Sequence, residues 1–542
     1  MNIISIVSFI IATAAVALFT YILVGRMKKS KSATEEYFTG GRALTWPMVA
    51  GSLLLTNLST EQLVGLNGDV FGDKALVGVA WEALAAFAMI ATALVFLPTY
   101  LASGFTTTPA FLEKRFDKTT RSMVSGLFLF GYVTVLLPVV LYTGSLALIT
   151  MFGLNMPLYI VVAIIGVLGS SYAIFGGLKS VAVSDTLNGI GLLIGGLAIP
   201  ILALAALGGG SFFEGLLTLG RDNPQYLAVL AQENIDGKTV TVPWPTLFTG
   251  MMFIQVFYWS TNQVIVQRAM AARSLAEGQK GVLFASGMKL LGPIMLCLPG
   301  IIALHMPDLN IGKQDQVYGA VVRHVLPDWS LGLFAAVLVG SILSSFNSAL
   351  NSASTLFSLQ FYRGYINPSA SGEETVKIGK YFGVLLAGAS ILIAPLLAQM
   401  ESIFQYLQKV NGLYSVPIIG IFLLGITTKH VPAIAAKVGM IVGILFYSFF
   451  SFVNIKNVIP FFANTDGDLH WLHGYFISFL ASIGVMLIIG YLAPKTEEEI
   501  AVSEKKIPAP VDMTPWPLAK KVSAGIFGTT IAIYLLLTGA AG

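Results

Sequence analysis

Residues 45–68 read TWPMVAGSLLLTNLSTEQLVGLNG. The stretch is long and apolar enough to cross a membrane, apart from the seven mostly polar residues 56–62 in its middle. Interrupted helical backbone at that depth is tolerated only where it lines a cavity. A second stretch, 245–267, is interrupted in the same way by WSTNQ at 259–263. We therefore predict two broken transmembrane helices that face a shared aqueous cavity.

The whole chain has the composition of a polytopic helical membrane protein. Of its 542 residues, 56% are hydrophobic and 11% are charged, whereas about 25% of the residues in soluble domains are charged. This composition excludes a soluble enzyme and a nucleic-acid-binding protein, and the continuous apolar runs exclude a β-barrel. The single cysteine, Cys297, excludes an internal disulfide, and the five histidines lack the spacing of a zinc site.

Hydropathy predicts about 14 transmembrane helices. The first, 4–25, has no basic residues before it and is too long for the apolar part of a signal peptide, so we expect a retained helix. The other predicted spans are 45–68, 75–99, 122–151, 158–175, 181–207, 245–267, 279–305, 329–360, 375–399, 403–427, 432–454, 470–492 and 520–540.

The distribution of basic residues predicts the orientation of the chain. If the N-terminus is outside, the inside loops hold 23 of the 31 lysines and arginines and the outside loops hold six. The positive-inside rule then predicts a plasma (inner) membrane protein with both termini outside.

The positions of the two interruptions predict an internal repeat. Counted from 45–68, the interrupted spans are the first and sixth of ten, so each half of five helices begins with a broken helix and the second half is inverted. We expect one transmembrane domain over 1–542, with a leading helix at 4–25, a ten-helix core at 45–427 and three trailing helices at 432–540. Ordinary kinked helices can also carry polar breaks, and this alternative stays open here.

Ionisable and amide side chains at membrane depth indicate what the cavity binds. One acid, Glu82, and one base, Lys289, accompany four amides: Asn57, Gln62, Gln255 and Gln408. Such a set suits a neutral solute rich in hydroxyls, which both donate and accept hydrogen bonds. An anionic solute would favour arginine, and the sequence places no arginine within a predicted span. A structural ion pair that only packs helices is the alternative for Glu82 and Lys289.

Aromatic and hydroxyl side chains complete the predicted sites. Trp81, Tyr258 and Trp259 adjoin the polar positions and could cover the apolar face of a sugar ring, although each could also be an ordinary core residue. Ser344 and Ser345 lie in a serine-rich span, and their hydroxyls together with carbonyls near the first interruption could hold a small monovalent cation. Asp185, Asn347 and Ser348 could form a second or relay site.

These residues resemble a known family, the sodium/solute symporters, and most closely its sodium/glucose (galactose) cotransporter branch. The resemblance is strongest in YAIFGGLKS at 172–180, in Asn57-x-Ser59-x-Glu61-Gln62 and in Gln267-Arg268. It implies the inverted-repeat fold, Na⁺ as the coupling ion and a sugar as the solute.

The resemblance also implies individual roles. The positions that bond the sugar are Asn57, Gln62, Glu82, Lys289 and Gln408. Tyr258 would stack under the sugar with Trp259 beside it, whereas Trp81 and Gln255 stand where the bacterial galactose transporter has tyrosine and asparagine. The implied sodium ligands are the carbonyls of Leu55, Leu58 and Ser341 and the hydroxyls of Ser344 and Ser345, with Asp185 nearby.

We therefore expect a sodium-coupled secondary active symporter, and not an enzyme, that imports a neutral hexose such as galactose or glucose by alternating access. A symporter of the same family for sialic acid, inositol or another small polar solute is the alternative. The expected partners are the solute, Na⁺ and the lipid bilayer, with no nucleic acid, and a monomer would be sufficient.

Overall fold

The computed structural model describes residues 3–26, 40–105, 107–400, 402–453, 455–456, 460–465, 467–504, 509 and 511–541. Within these ranges the side chains of 40, 171–182, 460, 502–504 and 539–541 are not described. The motif at 172–180 therefore lies outside the described side chains.

The described chain is helical, and no β-strand occurs within it. The α-helices are α1 (Ile3–Gly25), α2 (Trp46–Asn57), α3 (Thr60–Asp73), α4 (Val79–Ala91), α5 (Leu97–Ser103), α6 (Thr108–Arg115), α7 (Lys118–Gly131), α8 (Leu137–Phe152), α9 (Leu158–Leu207), α10 (Phe212–Asp222), α11 (Gly250–Ser260), α12 (Gln263–Met270), α13 (Leu275–Lys289), α14 (Gly292–Leu296), α15 (Leu298–Ala303), α16 (Val317–Val325), α17 (Asp328–Leu356), α18 (Gly372–Ile393), α19 (Ile403–Thr427), α20 (Ala433–Phe452), α21 (Trp471–Leu492), α22 (Glu497–Glu504) and α23 (Ala519–Ala541).

Short irregular helices join several of these elements. The π-helical segments are Thr92–Phe96, Tyr132–Leu136 and Phe357–Ile366. The 3-10 helices are Gly40–Arg42, Leu76–Gly78, Pro224–Leu227, Trp244–Phe248, Pro307–Leu309, Gln314–Gln316, Ala394–Gln399 and Pro460–Phe462.

Ten helices in the described part of the chain are long and apolar enough to cross a membrane, or up to eleven if a bent pair is one span. The prediction of an all-α polytopic membrane protein is therefore confirmed. The total of 14 spans, the five-plus-five repeat and the boundaries of its three parts stay predictions.

The two described parts of α9 pack against one neighbour. Gly169 lies against Phe346 of α17, and Gly195 lies against Phe334 of the same helix. A straight helix would separate the two glycines by about 39 Å, whereas the two phenylalanines are only about 18 Å apart along α17. Both parts of α9 therefore pack against α17, and α9 does not run straight between these two glycines.

Both predicted interruptions are present. The first broken helix stops at Asn57 and resumes at Thr60, because Leu58 (φ −73°, ψ 62°) and Ser59 (φ −106°, ψ 177°) leave the helical conformation. The second stops at Ser260 and resumes at Gln263. Each gap is two residues long, which is narrower than the sequence predicted.

Candidate functional site

The first break exposes backbone oxygens at membrane depth. The Ser59 amide donates to the Asn57 carbonyl (2.8 Å) rather than to Leu55, its helical partner four residues earlier. The Leu55 carbonyl thus loses its usual amide donor, and the Leu58 carbonyl lies in the gap itself. Neither oxygen has an amide donor within its own helix, so each can accept a hydrogen bond from a neighbouring helix or coordinate a cation.

The second break is held by an asparagine cap. The Asn262 side chain accepts from the Val264 amide (3.1 Å), as an N-cap residue of α12 should. The same oxygen accepts from the Tyr132 hydroxyl (2.9 Å). The end of α11 is thereby fixed, and with it the aromatic pair Tyr258 and Trp259 in its last turn.

The predicted acid and base meet beside the first break. Lys289 and Glu82 form a fully buried ion pair, and the Lys289 amine also donates to the Asn57 side chain at the end of α2. Glu82 lies in the first turn of α4, and Lys289 is the last residue of α13. Each charge therefore interacts favourably with the dipole of its own helix.

A third bend, which the sequence analysis missed, makes this meeting possible. The chain bends by 50° between α13 and α14, immediately after Lys289. A Cβ atom at Gly292, in the first turn of α14, would overlap the Glu82 carboxylate. The sequence could have indicated this bend through the adjacent residues Gly292 and Pro293, since glycine and proline commonly interrupt helices.

Side chains of α11 surround the ion pair. The Lys289 nitrogen lies 5.6 Å from the ring centroid of Trp259. The Tyr258 hydroxyl lies close to the Asn57 side chain, and the Gln255 amide donates to the Trp81 carbonyl (2.8 Å). The structure therefore brings most of the predicted solute-binding residues together at the two breaks.

Several polar atoms of the candidate residues are buried and have no hydrogen-bond partner among the described residues. They are the Gln62 carbonyl oxygen, the Trp81 indole nitrogen and one Glu82 carboxylate oxygen. A buried donor or acceptor without a partner costs about 1–3 kcal/mol, so native proteins rarely keep one unless a ligand or water satisfies it. The set contains a donor as well as acceptors, which matches a hydroxyl-bearing solute.

Gln408 is joined less directly to the other candidates. It lies on α19 one turn beyond Phe404, whose ring packs edge-on against Trp81 with 5.2 Å between centroids. Residues four apart share one face of a helix, so Gln408 lies on the face that meets the site. No hydrogen bond links it to the other candidate residues, and its role stays a prediction.

The predicted cation ligands face the first break from α17. The Ser341 hydroxyl donates to the Leu58 carbonyl (3.1 Å), and the Ser345 hydroxyl approaches the Thr56 carbonyl (3.5 Å). Between them in sequence, the buried Ser344 hydroxyl faces Asp185 without completing a hydrogen bond. This arrangement of neutral oxygens suits a hard monovalent cation such as Na⁺.

One expectation about arginine was wrong. The sequence predicts Arg268 in a loop, because it follows the predicted span 245–267, but it is fully buried in α12. Its guanidinium donates to Ser52 (2.9 Å) and to Ser348, and Ser52 in turn donates to Asp185 (2.9 Å). A carboxylate and serine hydroxyls thus satisfy the buried cation, and this network ties α2, α9, α12 and α17 together.

Comparisons with known proteins agree with this architecture. The model of the sodium:solute symporter family matches residues 37–443. An uncharacterised Escherichia coli symporter, YidK, is 40% identical over 98% of this chain and 91% of its own length. The Vibrio parahaemolyticus sodium/glucose cotransporter is 32% identical over 82% and 85%, respectively. The human sodium/myo-inositol cotransporter 2 is 31% identical over 77% and 66%.

Two solved structures show the same fold at low sequence identity. A substrate-bound, outward-open Na⁺-coupled sialic acid symporter superposes with a TM-score of 0.75 at 20% identity, covering 91% of this chain and 99% of that one. Mhp1, a nucleobase-cation-symport-1 family transporter, gives a TM-score of 0.51 at 15% identity, covering 89% and 100%.

Proposed function

Because the chain belongs to the sodium:solute symporter family and uses Na⁺ as its coupling ion, we propose that the solute is a neutral sugar, with a hexose such as galactose or glucose as the first candidate. The chain is an integral membrane symporter. The proposal concerns the identity of the solute, the residues that bind it and the direction in which it moves.

The unpartnered polar atoms of Gln62, Trp81 and Glu82 carry this proposal. The acid and base neutralise each other, so the site offers no net charge to an ionic solute. A hydroxyl-rich ring would donate to Gln62 and Glu82 and accept from Trp81. The Tyr258 and Trp259 rings could then cover its apolar face.

Two relatives favour a sugar or a polyol. The Vibrio and human relatives are named as sodium/glucose and sodium/myo-inositol cotransporters. myo-Inositol is therefore the second candidate, since its ring of hydroxyls makes similar demands on the site. Sialic acid carries a carboxylate, and both cations near the breaks, Lys289 and Arg268, already face acids.

Sodium would drive import by alternating access. A cation held between the α2 break and the serines of α17 would favour one arrangement of these helices, which is a population shift through differential contacts. One Na⁺ moving through 100 mV gains about 2.3 kcal/mol, and a tenfold Na⁺ gradient adds about 1.4 kcal/mol. Together they could concentrate a neutral solute about 500-fold.

Orientation and assembly follow from the same proposal. We place both termini outside, which makes the basic ends of α6 and α19 cytoplasmic. A single chain contains every candidate residue, so a monomer is sufficient. Reporter enzymes fused to each terminus, active on only one side of the membrane, would test the orientation.

Counterflow in proteoliposomes tests the solute. Vesicles loaded with unlabelled galactose, glucose, myo-inositol or sialic acid are diluted into the corresponding labelled compound, in Na⁺ and then in K⁺. We expect transient accumulation of a hexose or of myo-inositol in Na⁺ alone. Accumulation of sialic acid with none of a neutral solute would refute the proposed solute class while leaving Na⁺ coupling intact.

A further inference from the structure

Basic side chains are concentrated at one end of the helical bundle, around α6 and the end of α19. The group, called here the basic end, contains Lys114, Arg115, Lys118, Arg121, Lys429, Lys437 and Lys495. Three acids lie among them: Glu113 pairs with Arg121, Asp117 pairs with Lys437 at 2.6 Å, and Glu499 lies near Lys495. The basic end therefore keeps a surplus of positive charge.

A cavity of about 260 Å³ opens within the basic end. Its wall includes Lys114, Arg115 and Lys429, together with Thr99, Ser103 and Phe111. The Lys114 amine has no hydrogen-bond or ion-pair partner among the described residues. The cavity thus offers cationic groups beside a partly apolar wall.

Arg115 forms the rigid side of this cavity. Its guanidinium donates to the carbonyls of Gly425, Thr428 (2.8 Å) and Val431, and so closes the end of α19. Behind it, the Lys495 amine donates to the Arg115 carbonyl. Burial and the neighbouring Arg115 lower the pKa of Lys495 to about 8. The positive charges are therefore held close enough to repel one another, and a bound anion would relieve that repulsion.

The cavity lies next to an exposed apolar side chain of a predicted membrane-spanning segment. Thr99 on its wall is one turn from Val95, which is 49% exposed in a predicted membrane-spanning segment. An anion bound here could therefore carry acyl chains along Val95. Basic pockets between helices at the cytoplasmic side of a membrane recognise lipid phosphates in this way.

We propose that this cavity binds the phosphate of an anionic phospholipid. Lys114 and Lys429 contact the phosphate oxygens, Arg115 fixes the geometry, and the acyl chains pass along Val95 and Thr99. The bound lipid offsets part of the positive charge of the basic end and fastens α6 to the end of α19.

Lipid binding to the purified full-length protein tests the proposal. Affinity is measured by native mass spectrometry with phosphatidylglycerol, phosphatidylcholine and inorganic phosphate as separate probes. The test variant is Lys114→Gln/Lys429→Gln. The matched control, Lys377→Gln/Lys520→Gln, removes the same charge at two exposed lysines outside the cavity.

We expect phosphatidylglycerol to bind wild type at least tenfold more tightly than phosphatidylcholine. The test variant should weaken phosphatidylglycerol binding about 30-fold, since each lysine near a phosphate contributes about 1 kcal/mol, and the control should change it less than twofold. Lys114→Arg/Lys429→Arg should retain binding, which separates lost charge from lost folding.

Three outcomes would overturn the proposal. Equal binding of the two lipids would show that headgroup charge is not recognised. Inorganic phosphate that binds as tightly as phosphatidylglycerol would identify a free anion as the ligand. Unchanged phosphatidylglycerol binding in the glutamine variant would place the lipid elsewhere.

Discussion

Neutralising the buried ion pair should separate its structural role from its role in solute binding. We consider Lys289→Met, Glu82→Gln and the double variant. Both charged side chains are 0% exposed, and Lys289 also donates to Asn57. Removing one partner leaves the other charge buried and uncompensated, and such changes cost about 3–5 kcal/mol.

The double variant should recover much of this loss. Methionine and glutamine have volumes similar to those of the residues they replace, and neither leaves a buried charge. We therefore expect Lys289→Met to lose about 3–5 kcal/mol of unfolding free energy and the double variant to lose about 1–2 kcal/mol. Lys74→Gln serves as the control, because the exposed Lys74–Asp236 pair should contribute at most about 1 kcal/mol.

Two measurements on the same preparations decide between the roles. Thermal unfolding in detergent gives stability, and Na⁺-dependent counterflow in proteoliposomes gives function. The double variant should stay folded and lose counterflow, because the solute loses its charged hydrogen-bond partners. A folded double variant that transports like wild type would show that Glu82 and Lys289 only pack helices, and would refute the solute site proposed here.

Three further predictions concern other parts of the molecule. Ser345→Ala should raise the Na⁺ concentration for half-maximal uptake about tenfold, because the cation loses an oxygen ligand. Ser390→Ala is the control and should leave this concentration unchanged, since it removes a hydroxyl that is bonded within its own helix. Equal effects of the two variants would contradict the cation site. Gln62→Leu should raise the solute KM about tenfold without changing the Na⁺ dependence, and an unchanged KM would remove Gln62 from the site. Burial and the neighbouring Asp69 raise the pKa of Asp315 from 3.8 to about 7. The folded state therefore binds a proton at Asp315 more tightly than the unfolded state does. As the pH rises from 5.5 to 7.5 this proton is lost, and the free energy of unfolding should fall by about 2 kcal/mol. Asp315→Asn should abolish that part of the pH dependence in thermal melts, and a melt profile identical to wild type would contradict it.

The broken helices could be predicted because polar residues occur there at positions that the length of the apolar run places in the middle of the membrane. A run such as 56–62 cannot cross lipid as ordinary helix, so the sequence itself signals a cavity. The length of the non-helical gap could not be predicted, since it depends on which carbonyl each backbone amide hydrogen-bonds. The Ser59 amide donates to the Asn57 carbonyl, and the helix resumes at Thr60 after a gap of only two residues.

Contacts between distant segments were harder to predict. Arg268 looked like a loop residue because its partners, Ser52 and Ser348, come from two other helices that no local pattern connects to it. The bend after Lys289 was missed for a related reason. Gly292 is required by the closeness of Glu82, about 200 residues earlier in the chain, and only the tertiary structure reveals that contact.

The geometry of the first break suggests how a cation and a solute could be coupled without a relay. Asn57 binds Lys289 through its side chain, on the side of the candidate solute site. Its neighbours Thr56 and Leu58 present their carbonyls to Ser345 and Ser341 of α17. Any movement of this three-residue segment therefore changes both sites at once. Binding at either site would favour one position of the segment and so raise affinity at the other, and this coupling must be reciprocal.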